Sequence, residues 1–376
     1  MKILMFTTRF RPEVGGVEKV VESLALQLAK NHEVCVLTSM GKQGNLLSVS
    51  KTSESSSGYQ VKRFWINYPA TIMGCLAFPY RFINSSLQII NFVKKFKPDV
   101  INLHFTDSAT FYVWILKFFV KTPLVVNIHG NDLHVFSHKN PYKYFIKSLL
   151  NSAKKVIVNS DYMKSEFETE YPQLRNKVEI ISNGLNVTEI DKINPVSFIT
   201  SPYIFYVGRL VSKKGVDLLT KAFAKSGISN LHLVIEGSGE EEGNLRKLIK
   251  DNNLDNLVHM TEGKLTENEK ISYMKGALFG VMPSRIEPFG IVALEFLAAG
   301  TPLIASMTGG LKSILKDHKT TLFFENENVT YLSEKINEIY ENGELRQTLS
   351  SNGKEEVRKY DWYNISKHYE ALFKSL

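Results

Sequence analysis

Short runs of β-branched and aromatic residues alternate with helical patterns along the whole chain. The first half holds six strand-like runs, at residues 2–7, 33–38, 61–66, 99–104, 124–129 and 155–159. The alternation restarts with four further runs, at residues 203–207, 231–236, 278–282 and 302–305. Alternating strands and helices are typical of parallel sheets joined by right-handed crossovers. The pattern therefore predicts an α/β protein with two doubly wound domains.

The join between the domains lies in residues 186–202, which are polar, contain proline and lack a hydrophobic period. We place the first domain at residues 1–190 and the second at residues 191–359. Residues 360–376 are predicted to form a final amphipathic helix. Its apolar side chains at helical spacing are Trp362, Ile365, Tyr369 and Leu372. The serine-rich residues 41–58 are expected to form a mobile loop in the first domain.

The composition is that of an ordinary soluble globular protein, with 43% hydrophobic and 22% charged residues in 376. No apolar run approaches the roughly 18–20 residues that a membrane-spanning helix needs. The opening residues 1–10 are predicted to be a first strand and not a signal peptide, because no cleavage site of small residues follows them. Two cysteines do not make a disulfide framework, so a reducing cytoplasm is the expected setting.

The positive charge is unevenly distributed. Residues 1–190 carry 23 Lys and Arg against 14 Asp and Glu, so the first half accounts for the whole net charge of +8. Such asymmetry suggests that the first domain faces an anionic partner, either a membrane surface or a phosphorylated substrate. Solubilising lysines are the simpler alternative. Nucleic acid is not an expected partner, because no nucleic-acid-binding motif is present.

The first strand of the second domain is followed by Gly208, Arg209 and Lys214, and then by a turn that opens a helix. Two fixed cations at the carboxyl end of a strand suit a diphosphate, with Arg as a bidentate fork and Lys as a point charge. A solvated loop with incidental basic residues is the alternative. In the first domain, Gly15 and Gly16 stand before a helix and would let backbone approach an anion. There is no G-x-G-x-x-G, which argues against a nicotinamide dehydrogenase.

Two carboxylates, Glu287 and Glu295, stand in an otherwise apolar run. Pro288 and Gly290 break the chain, so Glu287 is predicted on a loop and Glu295 inside the helix that follows. An unpaired buried carboxylate is costly, and a carboxylate accepts the two hydroxyl groups of a vicinal diol well. The alternative is that Glu295 pairs with a lysine or a backbone donor. His129 follows another strand and is a candidate contact to a polar ligand.

These motifs occur together in the order found in one known family. The residues that carry the likeness are Glu287 and Glu295 in E-x-x-x-x-x-x-x-E with an internal Pro-Phe-Gly, GGVE at 15–18, VGRL at 207–210 with Lys214, and HGND at 129–132. Over essentially its whole length the chain resembles the retaining glycosyltransferases of family four, the group 1 glycosyl transferases. One departure is NGLN at residues 183–186, where many relatives have Asp in place of Asn186.

The resemblance implies a GT-B fold, in which two Rossmann-like domains face a central cleft and the last helix crosses back to the N-terminal domain. The expected catalytic residues are His129, Arg209, Lys214 and Glu287. The expected donor-binding residues are Gly15, Gly16, Gly208, Phe289, Gly290, Ile291 and Glu295. By this likeness Arg209 and Lys214 would neutralise the diphosphate, and Glu287 with the amides of residues 289–291 would hold the sugar hydroxyls. Glu295 would take the ribose, and His129 would contact the donor sugar.

The implied reaction moves a sugar from a nucleotide-diphosphate sugar to a hydroxyl of a glycan, a lipid-linked or a polysaccharide acceptor. A UDP-sugar is favoured and a GDP-sugar is the alternative donor. No Asp-x-Asp motif is present, so no metal and no cofactor is expected, and fixed cations would do the work of a metal. A sugar-nucleotide epimerase or hydrolase, or a non-catalytic binding scaffold, remains the alternative. The expected location is cytoplasmic, with peripheral membrane binding as a further hypothesis.

Overall fold

A computed structural model describes residues 1–12, 15–40, 50–56, 58–66, 72–130, 132–133, 142–261 and 263–376, without the side chains of 50–56, 72–77, 108–109 and 142–143. The chain forms two compact units. Unit 1 comprises Met1–Gly184 and Trp362–Leu376, and unit 2 comprises Leu185–Asp361. The chain therefore leaves unit 1 after residue 184, earlier than the predicted boundary at 190.

Unit 1 is built on one large sheet. Its elements are β1 Lys2–Thr7, α1 Gly16–Leu28, β2 Glu33–Ser39, β3 Ser50–Ser56, β4 Tyr59–Phe64, α2 Ile72–Phe96, β5 Val100–His104, α3 Ser108–Leu116, β6 Leu124–Ile128, α4 Tyr142–Ser152, β7 Lys155–Val158, α5 Asp161–Glu170 and β8 Val178–Ile180. The strand order is β3-β4-β2-β1-β5-β6-β7-β8, and every neighbouring pair is parallel except β3 with β4. All six predicted strands are present.

The serine-rich segment departs from its prediction. Residues 50–56 form the edge strand β3, antiparallel to β4, so the expectation of a loop is wrong there. Residues 41–49 and 57 of that segment lie outside the described residues. An edge strand needs only one neighbour and no buried face, which explains why a polar sequence is able to form it.

Unit 2 is built on a second parallel sheet. Its elements are α6 Val187–Asp191, β9 Tyr203–Val207, α7 Val216–Ser226, β10 His232–Glu236, α8 Glu242–Asp251, β11 Val258–Met260, α9 Glu267–Gly276, β12 Phe279–Met282, α10 Ile291–Ala299, β13 Leu303–Ser306, α11 Leu311–Ile314, β14 Leu322–Phe324, α12 Val329–Glu341 and α13 Gly343–Val357. The strand order is β11-β10-β9-β12-β13-β14. Alternate residues of β9 enter two apolar clusters, Tyr203 and Phe205 in one and Ile204 and Tyr206 in the other, because helices cover both faces.

This order is that of a dinucleotide-binding Rossmann domain, and it reverses direction between β9 and β12. Ligands of open α/β sheets bind outside the carboxyl ends of the strands at such a reversal. In unit 1 the corresponding reversal lies between β1 and β5. The loops after β9 and β12 are therefore where a ligand of unit 2 is expected.

The last helix, α14 Trp362–Lys374, belongs to unit 1. It packs on α1, and Tyr369 donates a hydrogen bond to Oδ1 of Asn127 at 2.8 Å. The ring of Trp362 lies so close to Gly184 that a Cβ there would be 2.5 Å from it. None of the helices in the described part of the chain has the length and apolarity needed to cross a bilayer.

Asn186, which stands where many relatives have Asp, lies at the start of unit 2. Asn186 precedes α6 but makes no side-chain capping bond. Instead the backbone N–H of Val187 donates to Oδ2 of Asp361 at 3.3 Å, and Leu185 N–H donates to the carbonyl of Tyr360 at 2.8 Å. A carboxylate therefore serves the start of α6 even though residue 186 is not an aspartate.

Candidate functional site

The loops after β9 and β12, residues 208–215 and 283–290, are bonded to each other in unit 2. The backbone carbonyl of Lys213 accepts hydrogen bonds from the N–H groups of Arg285 at 2.9 Å and Ile286 at 3.3 Å. Because the strand order reverses between these two strands, both loops lie at the edge of the sheet where ligands bind. Most of the residues singled out in the second domain stand on these loops.

Lys214 and Glu287 form an ion pair across the two loops. The Nζ atom of Lys214 lies 2.5 Å from Oε2 of Glu287, and the hydroxyl of Ser284 lies 3.4 Å from the same oxygen. Glu287 is buried and Lys214 is half-buried. The sequence motifs assign each residue to a ligand and do not predict that the two side chains pair. The pair holds a carboxylate and an ammonium at one spot, where both can exchange partners with a ligand.

The cationic group is larger than predicted. A tight turn holds the three cations close in one loop, because Val211 N–H donates to the carbonyl of Arg209 at 3.0 Å and Lys214 N–H donates to the carbonyl of Val211 at 2.8 Å. Burial and the positive charges of Arg209 and Lys214 lower the pKa of Lys213, although the charge of Glu287 opposes them. Arg209 is exposed, and its guanidinium makes no hydrogen bond or ion pair with another described residue. Three clustered cations repel one another and attract an anion with more than one charge, such as a diphosphate. Lys213 is not predictable from the motif, which contains only Arg209 and Lys214.

Gly208 directly follows β9 and packs against the loop after β10. Its N–H donates to the carbonyl of Glu236 at 3.0 Å. A Cβ on Gly237 would stand 1.9 Å from the carbonyl oxygen of Gly208, so no side chain fits between the two loops. The close packing explains a glycine at 237. A backbone contact of Gly208 with a ligand stays a prediction.

The loop that carries Glu287 is held from both sides by glycines. Gly215 has a left-handed backbone, with φ of 65°, and a Cβ there would lie 2.0 Å from the carbonyl oxygen of Pro283. On the other side, Gly310 N–H donates to the carbonyl of Glu287 at 2.7 Å, and a Cβ on Gly309 would lie 2.2 Å from that oxygen. The position of Glu287 therefore depends on backbone packing that no larger residue allows.

Arg285 anchors the same loop from outside. Its guanidinium donates two hydrogen bonds to Asp217, at 2.8 and 2.9 Å, and others to Glu327 at 2.8 Å and to the carbonyl of Ser212 at 2.6 Å. The hydrogen bonds with Asp217 are the main cause that raises the pKa of Arg285. A bidentate pair of this kind fixes orientation as well as distance. Sequence reasoning missed Arg285, since its partners are distant in the chain.

The helix after Glu287 begins as predicted. Gly290 has φ of 102° and precedes α10, and its carbonyl accepts the N–H groups of Ala293 at 3.0 Å and Leu294 at 3.4 Å. Phe289 is buried in the apolar cluster, whereas Ile291 is half-buried. The first N–H groups of a helix have no partner within the helix and carry a partial positive charge. The amides of residues 289–291 are thus placed at a helix start that favours hydroxyl or anionic oxygens.

Glu295 lies inside α10 and pairs with a lysine. Its Oε1 accepts a hydrogen bond from Lys270 Nζ at 2.6 Å, and Lys270 also contacts Glu267 at 2.9 Å. Burial alone would lower the pKa of Lys270, but the two carboxylates outweigh it and the pKa is raised. The lysine pairing that the sequence left open is therefore present. It occupies only Oε1, and the buried Oε2 has no hydrogen-bonding partner among the described residues.

In unit 1, Gly15 and Gly16 lie between β1 and α1. Gly15 is extended and precedes the helix, and its carbonyl accepts the N–H of Lys19 at 3.2 Å. A Cβ on Gly15 would stand 2.4 Å from Oε2 of Glu18, whereas one on Gly16 would meet nothing within 4 Å. Because Glu18 has a flexible side chain that can move away, this contact does not by itself require a glycine at position 15. A contact of either glycine with a ligand stays a prediction.

His129 follows β6 and is partly exposed. Its Nε2 lies 3.2 Å from Nδ1 of His104, with the two rings stacked at 5.5 Å between centroids, and burial lowers the pKa of His129 to about 4. The buried carboxylate of Asp132 accepts three backbone N–H groups, from His129 at 3.0 Å, Gly130 at 2.8 Å and Thr106 at 3.3 Å. The loops after β5 and β6 are therefore joined.

The described residues bring together one set of candidates and leave others elsewhere. Arg209, Lys214 and Glu287 meet at the strand-order reversal of unit 2, whereas His129 belongs to unit 1. Asn131 of the HGND motif lies outside the described residues. In the described part of the chain no three His, Cys, Asp or Glu side chains are placed to hold a metal ion. That no metal is needed stays a prediction.

Two glycosyltransferase families match the two halves of the chain. A family described as Glycosyltransferase Family 4 matches residues 14–189, and one described as Glycosyl transferases group 1 matches residues 188–356. An uncharacterized glycosyltransferase of Methanocaldococcus jannaschii is 30% identical over 99% of this chain and 99% of its own length.

Solved structures share the fold over the full length. Sucrose-phosphate synthase from Thermosynechococcus elongatus has a TM-score of 0.82 at 22% identity, covering 100% of this chain and 98% of that one. HepE from Anabaena, solved in complex with UDP-glucose, has a TM-score of 0.78 at 20% identity and full coverage of both chains. These likenesses identify the two Rossmann-like units as a GT-B fold. The chain belongs to the group 1 glycosyltransferases, family 4, whose members carry out nucleotide-sugar-dependent glycosyl transfer.

Proposed function

We propose that this protein transfers a sugar from a UDP-sugar to an acceptor hydroxyl, with retention of the anomeric configuration and without a metal. The observation that carries the proposal is the cation cluster of Arg209, Lys213 and Lys214 beside Glu287 at the strand-order reversal of unit 2. The family supports a nucleotide-sugar donor, and the UDP-glucose complex of HepE favours UDP over GDP.

The cations act on the leaving group in this proposal. When the bond between the anomeric carbon and the phosphate oxygen breaks, negative charge grows on the diphosphate. Arg209 and Lys214 are assigned to stabilise that charge, and each charge-assisted contact would contribute about 1.5–3 kcal/mol. The acceptor hydroxyl attacks on the face from which the diphosphate departs, and the departing phosphate oxygen takes its proton. No protein nucleophile is needed, so Glu287 is not assigned that role.

The sugar and ribose contacts follow from the positions of the acidic residues. Glu287, with the amides at the start of α10, is assigned to the sugar hydroxyls. Oε2 of Glu295 is assigned to the ribose hydroxyls, which would satisfy a buried oxygen that has no partner among the described residues. Because Oε2 is buried, a neighbouring side chain must move for the ribose to reach it. His129 is assigned to the donor sugar, and Gly15 and Gly16 to the diphosphate and the acceptor.

The first experiment is a thermal-shift series with UDP, GDP, ADP and their sugar conjugates, with and without EDTA. A ligand at a hundred times its Kd raises the free energy of unfolding by about 2.7 kcal/mol. We expect UDP and a UDP-sugar to stabilise the protein in EDTA. Arg209→Ala should abolish the shift, whereas Lys247→Ala, at an exposed lysine of α8, should preserve it. No shift with any nucleotide at millimolar concentration would contradict the donor assignment.

The stereochemistry needs a separate measurement. With an α-linked UDP-sugar, NMR spectroscopy of the first product should show an α-anomer, since both substitutions occur on one face. A β-anomer would contradict retention, and loss of activity in EDTA would contradict the metal-free mechanism. Binding without transfer or hydrolysis, with every glycan, lipid-linked and polysaccharide acceptor tried, would favour the non-catalytic scaffold.

We also propose that the acceptor is approached at an anionic membrane surface. Unit 1 exposes large apolar side chains on α2, after α3 and on α4, among them Phe118, Phe119 and Tyr144 at 70%, 52% and 74%. These helices pack on one another, and the ammonium of Lys94 lies 5.6 Å from the ring centre of Phe119. Exposed aromatic residues beside lysines fit the interface of an anionic bilayer.

Liposome sedimentation tests this surface. Vesicles rich in anionic lipid should bind the protein at low salt and release it at high salt, and Lys94→Glu with Lys95→Glu should abolish binding. The matched control, Lys247→Glu with Lys250→Glu, makes the same charge change at exposed lysines of unit 2. No binding at any salt concentration would contradict the proposal. Binding that salt does not change would point instead to apolar insertion.

A further inference from the structure

A chain of buried hydrogen bonds runs from the last helix of unit 1 to His129. Tyr369 donates to Oδ1 of Asn127 at 2.8 Å, and Nδ2 of Asn127 donates to Oδ1 of Asn102. Nδ2 of Asn102 lies 2.9 Å from Nε2 of His104, and Nδ1 of His104 lies 3.2 Å from Nε2 of His129. The linked side chains come from β5, β6 and α14, so three elements converge on one histidine.

One backbone group fixes the direction of this chain. Nδ2 of Asn127 also donates to the carbonyl oxygen of Leu103, at 3.2 Å. A backbone carbonyl only accepts hydrogen bonds, so the amide nitrogen of Asn127, and not its oxygen, must face it. The oxygen of Asn127 is then left to accept from Tyr369. The orientation of the Asn127 amide thus follows from the chemistry of its partners.

The direction passes from Asn127 to the two histidines. Because the amide nitrogen of Asn127 is the donor, the amide oxygen of Asn102 must accept this hydrogen bond. The amide nitrogen of Asn102 then faces His104. A donor at Nε2 of His104 requires that this nitrogen be unprotonated, which leaves the proton of the neutral ring on Nδ1. That proton is donated to Nε2 of His129. Nε2 of His129 is therefore an acceptor, and its own proton resides on Nδ1.

Both histidine rings must be neutral for every hydrogen bond in this series to form. If His104 were protonated, its Nε2–H would face the amide hydrogens of Asn102, and if His129 were protonated, two N–H groups would face each other. His104 and Asn102 are fully buried, so no solvent relieves such a clash. Burial also lowers the pKa of both histidines, and their proximity lowers that of His104 further.

We propose that the buried relay of Asn127, Asn102 and His104 holds His129 as a neutral hydrogen-bond donor through Nδ1, and that Asn102 and His104 are positioning residues for His129. Nδ1 of His129 has no hydrogen bond with another described residue, so it is the ring atom left for a ligand. It would donate to an oxygen lone pair of the sugar, given the donor contact assigned under the proposed function. It does not act as a base, since its basic nitrogen is occupied by His104.

The tautomer is measured directly by ¹⁵N NMR spectroscopy of protein labelled at histidine. We expect the protonated nitrogen to be Nδ1 in both His104 and His129, with each signal assigned by its loss in a variant of that residue. Asn102→Leu removes the donor to His104 while retaining its size, so both rings should populate mixed tautomers. A ring of His129 protonated on Nε2 in the unaltered protein would overturn the proposal.

An internal control exists in unit 2. Nδ1 of His232 lies 2.9 Å from Nε2 of His259, and these rings are also stacked, at 5.2 Å between centroids. No asparagine relay reaches that pair among the described contacts, so Asn102→Leu should leave its signals unchanged. A change at both pairs would indicate a general loss of structure and would count against a specific relay.

Two substitutions at His129 test the sugar contact independently of the relay, because they place a donor at the position of either Nδ1 or Nε2. The amide nitrogen of Asn lies near the position of Nδ1 and that of Gln near the position of Nε2, so His129→Asn should retain more kcat/KM than His129→Gln. One neutral hydrogen bond corresponds to roughly a tenfold difference. Equal losses, or better retention by His129→Gln, would overturn the sugar contact. Because the NMR result does not depend on turnover, failure of the relay and failure of the proposed function are distinguishable.

Discussion

The ammonium of Lys214 lies 2.5 Å from the carboxylate of Glu287, and this ion pair joins the loops that follow β9 and β12. A diphosphate bound to the cation cluster would compete with Glu287 for Lys214. If Lys214 turned to the phosphate, Glu287 would be released to accept hydrogen bonds from sugar hydroxyls. In the proposed function this one ion pair would therefore couple recognition of the diphosphate to recognition of the sugar.

Glu287→Gln should bind UDP at least as tightly as the unaltered protein, because Lys214 no longer has to leave a carboxylate. Its turnover should fall by at least about tenfold, since a contact to a charged group contributes about 1.5–3 kcal/mol. Lys214→Gln should instead weaken UDP binding by about 10- to 100-fold. Isothermal titration calorimetry with UDP and steady-state transfer rates measure the two effects.

The control for this pair is Glu189→Gln, which breaks an exposed pair of similar length, 2.7 Å from Lys192. Exposed pairs contribute little, so affinity and turnover should stay unchanged. Weaker UDP binding in Glu287→Gln would mean that Glu287 aids the diphosphate site directly, and the competition described above would be wrong.

The two glycines that flank α7 provide a matched test of loop packing. Gly215 and Gly227 have similar left-handed backbones, with φ of 65° and 69°, but only Gly215 faces a backbone atom, the carbonyl oxygen of Pro283. Gly227→Ala should lower the free energy of unfolding by about 1–2 kcal/mol, the strain of that conformation. Gly215→Ala should lower it further and also weaken UDP binding, because the loop of Glu287 must move. Urea unfolding and calorimetry test this, and equal effects of the two changes would contradict it.

The ribose assignment of Glu295 is tested with the ligand as well as the protein. The unaltered protein should bind UDP about tenfold more tightly than 2′-deoxy-UDP, since a hydroxyl on a carboxylate contributes about 1.5 kcal/mol or more. Glu295→Gln should reduce that preference to about threefold or less. It should also destabilise unit 2, because Lys270 loses its buried partner. Loss of stability with an unchanged preference for UDP would mean that Glu295 is only structural.

The fold was predictable because buried parallel strands are apolar runs that helices separate. Four of the described strands escaped prediction, and three of them, β8, β11 and β14, have only three residues each and leave no periodic signal. The edge strand β3, with the sequence SKTSESS, is polar and gains its structure from pairing with β4. These strands form because neighbouring strands pair with them, and a local sequence pattern does not contain that information.

The candidate site was predictable only where residues match a local motif. Arg209, Lys214 and Glu287 stand in such motifs, and their positions follow from the strands that precede them. Arg285 escaped because its partner Asp217 lies 68 positions away. Lys270 and Glu295 are 25 positions apart, so the sequence predicted only that some lysine could pair with Glu295 and did not identify Lys270. Partnerships between elements require the topology, and the sequence pattern provides only the elements.

The buried carboxylate of Asp132 gives unit 1 a distinctive dependence on pH. Burial raises its pKa to about 6, although hydrogen bonds from backbone N–H groups oppose the shift. Its pKa in the unfolded chain is near 3.8. The folded state therefore holds the proton more tightly, so the stability that this group contributes is full below pH 3.8 and is lost as the pH rises through 6.

Asp132→Asn removes this titration while keeping one oxygen that accepts hydrogen bonds. We expect the free energy of unfolding of the unaltered protein, minus that of Asp132→Asn, to rise by about 1.4 kcal/mol when the pH falls from 8 to 5, because the folded group takes up its proton one pH unit earlier than pH 5 and one pKa unit corresponds to about 1.4 kcal/mol. His104 and His129 resist protonation in both proteins, so their effect cancels in the difference. Urea unfolding at the two pH values measures it. A difference that stays constant or falls toward pH 5 would mean that Asp132 is already ionised at pH 5 in the folded protein.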